Sequence, residues 1–347
     1  MTPQDAGLDV LAHARSILEP ASDWCAEEPR AFTWRVGAVV QRIEAEPVRR
    51  AMGLELARVS AEVELLNAVA GHGEQLGAIA RWNAQQAGLS VLRWNAETGT
   101  VSLRCAVLAH AARVDEAAAR FAHAALLQLG AAAQAHAALA AELGGTPAAT
   151  LRADFRARAG TPEPDTALLE AWRAYAEAGQ KPGAWAGAQA LQAAAAMQPP
   201  PWLRVRVDAA GLHAELPAAL DPQPGSAPGA GVALLRLIVG QPHPRFGAGL
   251  LAVLEPPADA EPVRERVAAT AALLNEGESR EWTGVDQWGA WCVHPDRGLV
   301  FVTFVPALAC SEGMVQHLAW QMALRAQWSR RFLAQVAQLR AAARPPD

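Results

Sequence analysis

Leu-Leu-Asn occurs twice in this chain, at Leu65-Leu66-Asn67 and at Leu273-Leu274-Asn275, and each time the same series of signals follows. A strand-like run leads to a short turn ending in glycine (Gly99, then Gly298), a second apolar run, and a long alanine-rich helical stretch. One α+β unit written twice constrains the fold more than any composition figure. The expected architecture is two tandem α-β-β-β-α-β-β-α units, each an antiparallel sheet covered by helices. The Leu-Leu-Asn offset is 208 and the glycine offset 199, a difference that reads as an insertion near residues 68–76. The first unit is expected at residues 1–145. The second, with linker helices ahead of it, is expected at 146–347.

Periodicity places the elements. Leu8, Leu11, Ile17 and Leu18 share a helical face over 7–18, and Pro20 ends that helix. Residues 31–42, rich in β-branched and aromatic side chains, predict one strand. Leu56, Val59, Val63, Leu66 and Ala70 recur at three and four, which predicts a helix over 54–70. Strands follow at 89–95 and 100–108, with Val101, Leu103 and Cys105 on one side and Ser102 and Arg104 on the other. Gly99 suits a left-handed position in that hairpin. A helix over 114–143 is closed by Gly144-Gly145.

The middle of the chain is alanine-rich and broken by prolines. Helices are expected near 165–178 and 185–197, a boundary at Pro199-Pro200-Pro201, and a loop over 221–231. Strands are expected at 202–207, 212–216, 232–239 and 249–254, then a helix at 261–275. A hairpin at 290–294 and 299–305 and a helix over 311–343 complete the pattern.

At 347 residues, 52% hydrophobic and 19% charged, each half can bury a core without disulfides. The net charge is −5, and residues 1–145 hold 16 acids against 12 bases. That balance argues against direct nucleic-acid binding, where a basic face supplies most of the affinity. Lys181 is the one lysine among 30 basic residues, a mark of genome composition rather than function. Cys25, Cys105, Cys292 and Cys310 form no CxxC pair and read as free thiols of a reducing compartment. The first residues lack a signal-peptide pattern, so a cytoplasmic location is expected. The uncharged stretch 121–141 contains His123, Gln128, Gln134 and His136 among alanines, which makes it a poor membrane span and a better buried helix.

The order α-β-β-β-α-β-β-α resembles type III secretion chaperones and the YbjN-like proteins related to them. The resemblance is carried by Leu-Leu-Asn at 65–67 and 273–275, by VLRWNAETGTVSLRCAVL at 91–108, and by CVHPDRGLVFVTFVPAL at 292–308. The first copy departs from the family pattern in its insertion and weak early strands. The resemblance implies a cytoplasmic, dimeric, non-enzymatic protein that binds other proteins, in some cases linked to stress or regulation.

Catalytic signatures are missing. His123 and His136 fall on different helical faces, and Cys292 with His294 supplies two ligands where a site needs more. Gly225, Gly229 and Gly231 lack the Lys-Ser/Thr ending of a phosphate loop and precede a strand. Neither GxSxG nor HExxH occurs. No cofactor and no metal is expected.

Tryptophan is the unusual residue, twelve against one tyrosine. Trp282 and Trp288 flank Gly284 in a polar stretch and are expected as surface anchors for a partner, with Trp320 and Trp328 behind them. Trp320, Leu324 and Trp328 form one row of the last helix, while Met314, Leu318 and Met322 form another. Two apolar faces on one helix predict either a homodimer, a client surface or packing on the other half of the chain. The preferred function is a chaperone-like protein-binding module. A regulatory scaffold binding a small basic or nucleic-acid-associated protein through the acidic half is the second reading. An enzyme with an unrecognised site is the third.

Overall fold

The computed structural model describes residues 5–20, 24–36, 39–51, 53–70, 73–86, 88–148, 204–208, 211–216, 232–239, 242–257, 266–310 and 313–342. The helices expected near 165–178 and 185–197, the loop at 221–231 and the proline boundary lie outside them. The described residues form an α+β protein with five helices and two antiparallel sheets. The chain divides into two compact units, Met1–Ala178 with Asp286–Ala290, and Gly179–Val285 with Trp291–Asp347.

In the first unit, helix α1 (Ala6–Leu18) starts where the Asp5 carboxylate accepts from Gly7 N and Leu8 N, at 3.1 and 3.3 Å. It ends at Glu19 in the left-handed region, just ahead of Pro20. Strands β1 (Cys25–Glu28), β2 (Ala31–Val36), β3 (Val39–Ala45), β4 (Arg49–Ala51) and β5 (Leu54–Asn67) follow. Helix α2 (Gly73–Gln86), the hairpin β6 (Val91–Asn95) and β7 (Thr100–Ala109), helix α3 (Val114–Leu143) and the short β8 (Thr146–Pro147) complete the unit. The sheet runs β1-β2-β3-β5-β7-β6, with β4 and β8 attached to β5.

Two expectations are corrected here. Residues 31–42 are a hairpin, not one strand. Residues 54–67 are the long central strand β5, not a helix. Its three-and-four spacing is real, but Val59, Ala61, Val63 and Leu65 also alternate, and all four are buried. Pairing with β3 on one side and β7 on the other decides the matter, because tertiary contacts outweigh local propensity. Leu65 and Leu66 are both buried because a register shift between Glu64 and Leu66 interrupts the alternation.

Helices α1 and α3 cover one face of this sheet. α1 lies close at Gly7, where a Cβ would stand 2.7 Å from Ala57 Cβ. Buried polar side chains tie α3 to the strands. Trp34 Nε1 donates to Gln41 Oε1 (2.8 Å), Gln41 Nε2 to Gln128 Oε1 (2.7 Å), and Gln128 Nε2 to the carbonyls of Ala61 and Leu103 (3.0 Å each). By length and composition, one described helix, Ala111–Leu143, could cross a membrane. Its Phe121, Ala125, Leu129, Ala132 and Leu139 are buried, and the helix packs on β5 and β7.

The second unit holds β9 (Arg204–Val207), β10 (Gly211–Leu216), β11 (Ala233–Val239), β12 (Gly249–Glu255), helix α4 (Val267–Arg280), the hairpin β13 (Ala290–His294) and β14 (Gly298–Pro306), and helix α5 (Met314–Ala342). Its sheet runs β13-β14-β12-β11-β10-β9. Leu235, Leu237, Leu250, Ala252, Leu254, Phe301 and Val305 form its core with Leu318 and Met322 of α5. Each fully buried large apolar side chain stabilises by about 1.5–3 kcal/mol. α4 and α5 approach closely at Gly277, where a Cβ would stand 2.6 Å from the Phe332 ring.

Candidate interaction surfaces

Each unit fixes its hairpin with one asparagine. In the first, Asn83 of α2 donates Nδ2–H to Leu92 O and accepts Leu92 N–H at Oδ1, both at 2.9 Å. In the second, Asn275 of α4 donates to Trp291 O (2.9 Å) and accepts from Trp291 N (2.8 Å). β6 and β13 are edge strands, so the side-chain amide stands in for a neighbouring strand and satisfies buried backbone groups. Asn67 has no such role. It lies on β5 and accepts from Thr100 Oγ1 at 3.2 Å. In its hydrogen bonding Asn275 therefore matches Asn83 rather than Asn67.

The four tryptophans separate into core and surface. Trp288 is 3% exposed. It sits in the first unit, with the Arg120 guanidinium 5.9 Å from its ring centroid. The residues before it dock on β7: Asp286 Oδ1 accepts from Leu108 N (2.8 Å), and Gln287 N donates to Ala106 O (2.8 Å). The expectation of a surface anchor at Trp288 is thus corrected. Its polar neighbours are engaged by a strand edge rather than by water. Trp328, at 5% exposed, is corrected likewise: Nε1 donates to Glu281 Oε2 (2.8 Å) and the ring stacks on Phe332 at 5.0 Å. Trp282 is half-buried, and Leu324 is too. Trp320 is 52% exposed, the most open of the exposed large apolar side chains among the described residues. Met314, Leu318 and Met322 all lie in the core.

A second surface was not singled out from the sequence. β9 ends its sheet, and among the described residues it pairs with β10 alone. Its Arg-Val-Arg-Val alternation puts Arg204 and Arg206 on one face, their side chains 85% and 76% exposed. Val205 and Val207 pair with Ala214 and Leu212 on the core face and are only half-buried. A shallow groove of about 440 Å³ runs along the arginine face, lined by Arg204, Arg206, His213, Glu215, Leu234 and Arg236. The ion pairs here are long, Arg204–Glu215 at 3.6 Å and Arg206–Asp208 at 3.5 Å, and exposed pairs of this kind stabilise little.

The remaining polar clusters are closed. Glu62 accepts from Arg93 NH2 (2.7 Å), Ser102 Oγ (2.7 Å) and Arg104 NH1 (3.3 Å). Burial works against its charge, but the two arginines outweigh it and hold the carboxyl below its ordinary value. Burial pushes Arg58 down to about 10 despite nearby Glu46. In the second unit Arg325 Nε donates to buried Glu278 Oε1 (2.9 Å), Trp291 Nε1 donates to Glu278 Oε2 (3.2 Å), and the guanidinium lies 3.8 Å from the Phe301 centroid. Burial raises the thiols of Cys105, Cys292 and Cys310 to about 12, so they stay protonated and unreactive at neutral pH. His294 caps its own turn through Asp296 N (3.2 Å). Among the described residues no group of three His, Cys, Asp or Glu is placed to hold a metal ion. Gly225, Gly229 and Gly231 lie outside the described residues.

No family model, curated protein or solved structure matches this chain.

Proposed function

We propose that this is a non-enzymatic, chaperone-like protein-binding module built from two tandem copies of one α+β unit, of the YbjN and type III secretion chaperone kind. The observation that carries the proposal is the repeated strand order. Read from the hairpin edge, the sheets run β6-β7-β5-β3-β2-β1 and β13-β14-β12-β11-β10-β9. In both, a four-strand antiparallel run, with the short β4 set between β3 and β5 in the first, leads into a helix, a hairpin whose outer strand the helix asparagine holds, and a long final helix. Two unrelated halves have no reason to share the order, the helix positions and the asparagine bracket together. Among the described residues the first unit has five strands before its middle helix, more than the three of the expected order, and the second has four, at the four ranges expected for it.

A binding role follows from where side chains are left open. The Glu62 and Glu278 clusters are consumed within the fold, whereas among the described residues Trp320 and the β9 edge face outward. Trp is enriched at interface centres, and sheet edges take up extended segments through backbone hydrogen bonds. A cytoplasmic homodimer belongs to the same reading, with Trp320 as the contact for a second copy or a client. The scaffold reading through acidic residues has less support, because exposed Glu27 and Glu28 on β1 already pair with Arg15 and Arg42.

Affinity capture from native lysate with the intact chain as bait tests the proposal. A protein retained in near-stoichiometric amount, including a second copy of the chain, is the expected result. A bait that retains nothing above a control column and stays monomeric in light scattering at micromolar concentration would refute it.

A further inference from the structure

We infer that the β9 edge takes up an extended acidic segment of a partner protein, with carboxylates at alternate positions, as an added strand. This rests on the protein-binding reading and names the chemistry its open edge selects.

Three features point there. First, among the described residues β9 is the terminal strand of its sheet, and a strand at that position presents backbone donors and acceptors on its outer side. Second, the core beneath it is incomplete. Leu212 and Ala214 on β10 are buried, whereas Val205 and Val207, their partners on β9, are half-buried. A further strand with apolar residues at alternate positions would extend that layer by one row. Third, the other face of β9 carries Arg204 and Arg206, with His213 and Arg236 behind them along the groove. Cross-strand neighbours of opposite charge stabilise a pair, and like charges oppose it. The incoming strand therefore needs carboxylates facing the arginines and apolar side chains facing the valines.

Exposed charges on an edge strand also guard against aggregation. Here the guard is selective. A second copy's β9 would set arginine against arginine, so self-pairing is disfavoured, whereas an acidic strand meets two guanidinium groups. Glu215 and Asp208 hold these only at 3.6 and 3.5 Å, with side chains 49% and 41% exposed, so an incoming carboxylate can compete with them.

The test uses the full chain and two synthetic peptides, acetyl-Glu-Val-Glu-Val-Glu-Val-amide and its Lys-Val analogue, with binding followed by isothermal titration calorimetry. The Glu-Val peptide is expected to bind, to weaken as salt rises, and to slow hydrogen exchange within 204–207. The Lys-Val peptide, and a Glu-Val peptide N-methylated on alternate backbone nitrogens, are expected not to bind. In Arg204→Glu/Arg206→Glu affinity for Glu-Val should fall by about tenfold or more, with thermal unfolding unchanged. Arg204→Gln/Arg206→Gln serves as a milder variant with the same direction of effect. No Glu-Val binding, equal binding of both peptides, or binding that survives charge reversal overturns the inference. A partner captured from lysate and still held by the charge-reversed variant overturns it too, yet leaves the binding-module reading in place. Absence of any captured partner counts against that reading without touching the peptide result.

Discussion

The side-chain amide of Asn83 makes both backbone hydrogen bonds of Leu92, donor and acceptor, at 2.9 Å each. Asn275 repeats the arrangement on Trp291 in the second unit. Removing a buried partner leaves backbone groups unsatisfied, at about 1–3 kcal/mol each. Asn83→Ala and Asn275→Ala should therefore each destabilise by about 2–4 kcal/mol, measured by chemical unfolding. Asn67→Ala, which loses one contact to Thr100, should cost less than half as much as Asn83→Ala. Equal effects of Asn67→Ala and Asn83→Ala would contradict the assignment.

Trp288→Ala should destabilise by about 3–5 kcal/mol, as expected for truncating a buried aromatic. Trp320→Ala, at an open position, should leave the midpoint of thermal unfolding almost unchanged. A comparison of the two melting curves checks both. A stable Trp288→Ala protein would restore that residue to the surface.

The Glu278–Arg325 pair is buried on both sides, so breaking it from one side strands a charge. Glu278→Gln alone should cost about 3–5 kcal/mol. The double variant Glu278→Gln/Arg325→Met should be less destabilised than the sum of its single changes. Additive losses in that double-mutant cycle would show that the two side chains act independently.

Acid should weaken the first unit through Glu62. Its folded pKa lies below the ordinary value of 4.5: burial opposes the charge, and Arg93 and Arg104 outweigh burial. A lowered folded pKa contributes stability above the unfolded value and loses it as pH falls through the folded one. Asp5, held low first by Arg30, and Glu28, held low first by Arg42, add to the same trend. The melting temperature should therefore fall as pH drops from about 5 to about 3, and Glu62→Gln should make that fall shallower. An unchanged slope in the variant would remove Glu62 from the account.

Much of this fold was legible in the sequence where local signals and tertiary pairing agree. The hairpins turned at Gly99 and Gly298, helix α3 with its Gly144 stop, and the β9–β12 succession all fall within a few residues of their expected places. Reading failed at β5, where apolar residues fit both periods and only its two neighbouring strands decide. That error hid Asn83, whose signal was available: an asparagine late in an amphipathic helix, shortly before a strand. The polar flanks of Trp288 suggest solvent, whereas Asp286 and Gln287 spend their groups on β7. Charge alternation in Arg-Val-Arg-Val was readable, but its meaning depends on β9 being the last strand, which sequence order alone does not tell.

The most direct test of the central claim is to titrate the protein captured by the intact chain against wild type and Trp320→Ala, with both baits checked by thermal unfolding. Burying one tryptophan at an interface contributes on the order of 2 kcal/mol, so the account predicts about thirtyfold weaker binding by Trp320→Ala at unchanged stability. Equal affinity of the two baits would contradict a binding surface centred on the last helix.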